Sequence, residues 1–151
     1  MKISITVEIN EAEAVFKNLI DTEFFSIDVA YNKYKFDMLK EAQEKRLEYI
    51  ATEISLQKRD VLVGNTCYNL HEVLYLNNEL KKYNLNLNIV YIPSEERITS
   101  RMQQAKEEQR KWGYRDGVTD EEIERNFVNF KATLQEIKDW LENTTIEVKA
   151  V

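Results

Sequence analysis

Apolar and polar positions alternate at the start of the chain. Ile3, Ile5 and Val7 fall on one side of the stretch Lys2 to Val7, with Ser4 and Thr6 on the other. A short β-branched run with this period predicts a strand. Past Asn10 the spacing becomes helical. Ala14, Val15, Leu19 and Ile20 share an apolar side, and Asn10 with Glu13 three residues on makes a capping box. Glu23 to Asp28 reads as a second strand ending at a carboxylate. Phe36 to Gln57 contains neither Gly nor Pro, and Phe36, Leu39, Gln43, Leu47, Ile50 and Ile54 recur at spacings of three and four, which predicts a long helix.

The apolar run Val61 to Thr66 has the character of an interior parallel strand, buried on both faces. Leu70, Val73, Leu74, Asn77 and Leu80 mark the next helix, which Tyr83-Asn84 ends. Leu87 to Ile92 predicts a strand that Pro93 stops. Ser94 then caps a helix whose first residues, Glu95 and Glu96, suit its dipole. Thr119 to Glu122 is a second capping box. It opens a helix carrying Ile123, Phe127, Phe130, Leu134, Ile137 and Leu141, and Thr144 to Lys149 reads as a closing strand. Strands alternating with helices in this way predict one α/β domain over residues 1–151, a three-layer sandwich with a mostly parallel sheet. The charged stretch within 94–117, broken at Gly113 and Gly117, is a candidate lid or arm.

The 151 residues carry a formal charge of -6, which argues against a protein that coats nucleic acid by neutralising phosphates. Cys67 is the only cysteine and His71 the only histidine, so neither an internal disulfide nor a Cys-rich metal site is expected. No run of about 18 apolar residues and no signal-peptide pattern occurs, so a cytoplasmic protein without membrane partners is expected.

Three short motifs carry a resemblance. Phe24-Phe25-Ser26-Ile27-Asp28 ends a strand on an aspartate, and Val63-Gly64-Asn65-Thr66 ends another on Asn-Thr. Val90-Tyr91-Ile92-Pro93-Ser94-Glu95-Glu96-Arg97, with Arg101 beyond, runs from a strand through Pro into an Arg-bearing helix. Together with the element order, these resemble the P-loop kinase group, especially small nucleotide kinases and the polynucleotide-kinase and zeta-toxin branch. The resemblance implies a five-stranded sheet of order 2-3-1-4-5. It also implies that Asp28 would orient or deprotonate an acceptor hydroxyl, and that Arg97 and Arg101 would neutralise phosphate in transfer.

The phosphate loop itself is missing. Such a loop needs glycines so that backbone N–H groups can wrap phosphate, a Lys for its charge and a hydroxyl for magnesium. By family spacing it would occupy Val7, Glu8, Ile9, Asn10, Glu11, Ala12, Glu13 and Ala14. Val7 and Ala12 would stand for the glycines, Glu13 for the lysine and Ala14 for the hydroxyl. Glu8, Glu11 and Glu13 would repel a triphosphate, and the first glycine of the chain is Gly64. The expected protein is therefore a catalytically inactive kinase-like scaffold without cofactor or metal. It would serve as a protein-interaction or regulatory module through a protein partner or self-association, for instance as a bacteriophage or mobile-element accessory protein. A divergent nucleotide or polynucleotide kinase using Asp28, Arg97 and Arg101 is the alternative, and a nucleic-acid-binding module is a third. The candidate interaction surface interleaves aromatic and basic residues: Tyr31, Lys33, Tyr34 and Lys35, then Lys106, Arg110, Lys111, Trp112 and Arg115.

Overall fold

A computed structural model describes residues 1–7, 22–26, 36–65, 70–113 and 117–151. Five strands lie among them: β1 (Ile3–Val7), β2 (Glu23–Ser26), β3 (Val61–Asn65), β4 (Ile89–Ile92) and β5 (Glu147–Ala150). The described helices are α1 (Phe36–Ser55), α2 (Leu70–Lys81), α3 (Glu95–Trp112) and α4 (Asp120–Leu141). The strands form one sheet in the order β2-β3-β1-β4-β5, with every neighbouring pair parallel. The chain is thus an α/β protein with a parallel sheet. The expected helix around Val15 and Leu19 and the second-strand residues Ile27 and Asp28 lie outside the described residues.

The central strand explains why the sequence reads as it does. All five residues of β1 are buried. Ile5 sits in register with Val63 on one side and Val90 on the other, so one sheet face is lined by Ile3, Ile5, Val7, Val61, Val63, Val90 and Ile92. The helices close that face with stripes at helical spacing. Leu47, Ile50, Ala51 and Ile54 come from α1, Val73, Leu76 and Leu80 from α2, and Phe130, Leu134, Ile137 and Leu141 from α4. A strand of this kind has little exposed edge or face, hence its continuous apolar character.

Local chemistry sets the helix limits. Ser94 is extended (φ -67°, ψ 161°), and its Oγ accepts from the Arg97 amide at 3.3 Å, capping α3. Thr119 caps α4 through the Glu122 amide at 3.2 Å. Gly113 ends α3 with φ 57°, where its amide returns to the Gln109 carbonyl at 2.9 Å, a left-handed cap that suits glycine.

Three boundaries differ from expectation. The closing strand begins at Glu147, not Thr144, because Thr144 Oγ1 donates to the Leu141 carbonyl at 2.8 Å and accepts the Ile146 amide at 3.2 Å, which makes a turn of that stretch. The strand before Pro93 begins at Ile89, not Leu87, whose amide is turned to Asn77 Oδ1 at 3.4 Å. The long helix ends at Ser55, and the following amides of Leu56 and Gln57 close a turn on Glu53 and Ile54.

Candidate functional site

In a parallel sheet all strands end on one side, and ligands of open α/β folds bind in the crevice beyond those carboxyl ends. Here that rim is formed by Val7, Ser26, Asn65, Ile92 and Ala150. Val7 is the last residue of β1, in register with Asn65 of β3 and only 1% exposed. That is the strand end and the inward side that the alternation Ile3, Ile5, Val7 predicts. The Val7 side chain belongs to the core because it continues the Ile3–Ile5 row inward. On the other sheet face, Thr6 is equally buried, opposite Gly64 and Tyr91, and its Oγ1 makes no hydrogen bond.

Glu8, Asn10, Glu11, Ala12, Glu13 and Ala14 lie outside the described residues, as do Asp28, Tyr31, Lys33, Tyr34, Lys35 and Arg115. The residues that can be located are on α3. Arg97 and Arg101 stand one turn apart, as expected, but face different partners. Arg97 Nη1 donates to the Val151 carbonyl at 3.2 Å, tying the start of α3 to the strand end beyond β5. Arg101 Nη1 lies 3.6 Å from Glu108 Oε2, two turns further along the same helix. The Nε and Nη1 atoms of Arg101 are buried without a hydrogen bond. A clamp requires both guanidinium groups to converge on one anion, and these two are divided between a carbonyl and a carboxylate.

The expected basic surface is divided as well. Lys106 is buried and paired with Glu124 of α4, so it is not part of an exposed face. Arg110 pairs with Asp120 Oδ2 at 2.5 Å. The hydrogen bond to Asp120, reinforced by its charge, raises the Arg110 pKa above its ordinary value. Both contacts join α3 to α4, and Glu95 of α3 meets Lys131 of α4 at 3.2 Å. At the α3 terminus, Lys111 Nζ lies 5.1 Å from the ring centroid of Trp112, and that indole is 61% exposed. A cation over an exposed indole is a compact amphipathic patch.

A polar seam between α1 and α2 is missing from the sequence reading. Glu44 meets His71 Nε2 at 3.3 Å, Glu48 accepts from the Tyr75 hydroxyl at 2.7 Å, and Thr52 Oγ1 lies 2.9 Å from the Tyr83 hydroxyl. The steps of four in Glu44, Glu48 and Thr52, with His71 and Tyr75 on the facing helix, are the signal that would have shown it. The Glu48 hydrogen bond, with burial and charge adding, pushes the Tyr75 pKa up to about 12. Among the described residues, no group of three or more His, Cys, Asp or Glu side chains could hold a metal ion. No described helix is long and apolar enough to cross a membrane.

No family model matches the chain, and no curated protein matches it.

Proposed function

We propose that this chain is a kinase-like scaffold that binds another protein and does not transfer phosphate. The observation that carries the reading is the position of Val7. Where family spacing would put the first glycine of a phosphate loop, a buried β-branched residue continues the strand and packs into the core. Val7 is held in the sheet beside Asn65, and the residues that follow by sequence bring Glu8, Glu11 and Glu13 where a lysine and glycines would be needed. The separate commitments of Arg97 and Arg101 agree with this, because transferring phosphate would need both charges at one point.

The kinase-like plan is supported by the parallel order β2-β3-β1-β4-β5. Burial of Ser4, Thr6, Leu62 and Ile89, none of which belongs to the helix-facing apolar cluster, supports a layer on each side of the sheet. The partner-facing feature is the Lys111–Trp112 patch. Lys106 and Arg110, already neutralised by acids of α4, favour a protein partner over a phosphate backbone. Isothermal titration with ATP and magnesium tests the reading. No saturable binding is expected up to about 1 mM nucleotide, and a saturable site near the micromolar range of working nucleotide sites would overturn it.

A further inference from the structure

β5 is the outer strand of the sheet, and among the described residues no strand pairs with its far side. Its inner side is fully engaged. The Glu147 amide bonds the Asn88 carbonyl at 3.0 Å, the Val151 amide bonds the Ile92 carbonyl at 2.9 Å, and the Val151 carbonyl accepts from the Ser94 amide at 2.9 Å. Backbone groups alternate along a strand, so Glu147, Lys149 and Val151 face β4, while Val148 and Ala150 direct N–H and C=O outward. Ile146 shares that outward phase, although its amide already meets Thr144 Oγ1.

The helix side of this edge is uncovered too. An open groove of about 550 Å³ separates β5 from the end of α4, lined by Ile146, Val148 and Ala150 of the strand side and by Lys138, Leu141 and Glu142 of the helix. The opposite face of the strand carries only Glu147 and Lys149, both exposed and 3.7 Å apart at their charged atoms.

We propose that the β5 edge pairs with β5 of a second copy of this chain, antiparallel and two-fold about Val148, joining two sheets into one. The occupant follows from register and charge. Antiparallel bonding requires that residues with outward N–H and C=O groups face one another, which leaves three central registers. Centring on Glu147 sets Glu147 against Glu147 of the second copy, and centring on Lys149 sets two lysines together. Centring on Val148 sets each Glu147 against a Lys149, places Val148 beside its own copy, and pairs Ile146 with Ala150. Opposite charges across a strand pair stabilise it and like charges oppose it, so only this register is favoured. A lysine alone on an edge would discourage pairing; with Glu147 two residues before it, the edge becomes self-complementary. This association is independent of whether the chain binds nucleotide.

Four strand residues make a small interface, at the weak and transient end of specific contacts, with a dissociation constant on the order of 10 µM to 1 mM. Analytical ultracentrifugation across concentration tests it. The mean mass should rise from 18.0 kDa toward twice that value as concentration increases. Val148→Pro should abolish the rise and leave the circular dichroism unchanged. The proline removes an outward N–H and no bond to β4, a position that edge strands tolerate. Glu147→Lys alone and Lys149→Glu alone should each weaken self-association about tenfold, since each sets like charges together. An equimolar mixture of these two variants should recover association, because the introduced lysine of one then faces the introduced glutamate of the other. A wild-type chain that stays monomeric at about 1 mM overturns the proposal. So does association that the Val148→Pro chain retains, or a mixture no stronger than its components.

Discussion

Tyr75 of α2 donates its hydroxyl hydrogen to Glu48 of α1 at 2.7 Å, the middle rung of the polar seam that joins the two helices. The helices themselves are held by Leu47, Ile50 and Ile54 against Val73, Leu76 and Leu80, so the seam lies on the solvent side of an apolar contact. Its rungs Glu44–His71 and Glu48–Tyr75 advance together along both helices, and Thr52–Tyr83 continues the row into the turn just past α2. That is the pattern of parallel neighbours, as two helices connecting parallel strands in succession must be.

The Tyr75 phenol should titrate near 12, about two pH units above the ordinary phenol value of 10. Its folded pKa is raised above the unfolded one. The stabilisation is therefore complete below pH 10 and is lost as pH rises from 10 through 12. Spectroscopic titration of phenolate absorbance should show one late-titrating tyrosine. Glu48→Gln should move it back toward 10, and Tyr75→Phe should remove it from the curve. A single unshifted transition for all eight tyrosines would contradict the assignment.

The Lys106–Glu124 pair should respond unequally to loss of its two members. Lys106 is buried and its long stem is packed, whereas the Glu124 side chain is half exposed. Glu124→Ala leaves a buried ammonium without its carboxylate and should destabilise by about 1–2 kcal/mol. Lys106→Met keeps the packed volume and removes the charge, so it should lie within about 0.5 kcal/mol of wild type. Urea unfolding of both variants decides the matter, and equal losses would mean the charge contributes no more than the stem.

Gly113 is a case where open space does not make a substitution harmless. A Cβ there would meet nothing within 4 Å, yet the residue holds φ at +57°. Gly113→Ala should lower stability by about 1 kcal/mol through backbone strain, while Gly113→Asn should lose less, because asparagine tolerates the left-handed region. Thermal denaturation of the pair measures the difference, and an alanine variant as stable as wild type would show that the cap relaxes to another conformation.

The helices were legible because their determinants are local. Ser94 and Thr119 supply an oxygen within three residues of the amide each caps, and the stripe from Phe130 to Leu141 is visible in spacing alone. Strand ends were less legible. Thr144 to Ile146 has the composition of β structure, but the Thr144 hydroxyl finds partners at Leu141 and Ile146 and turns the chain before pairing begins. The candidate site was least legible of all. Arg97 and Arg101 have the spacing of a clamp, yet Arg97 donates to Val151, more than fifty residues away, and Arg101 lies beside Glu108, two turns along the same helix.

By itself, then, the sequence determined the α/β class, the helix caps and which positions are apolar enough to form the core, since each rests on propensity or on contacts within a few residues. Tertiary structure alone decided that Lys106 is buried and not displayed, that Arg97 and Arg101 take different partners, and that among the described residues β5 has no strand on its outer side. The reason is physical. Main-chain hydrogen bonds between strands carry no side-chain signature, and whether a lysine meets water or a carboxylate depends on a helix that begins fourteen residues later.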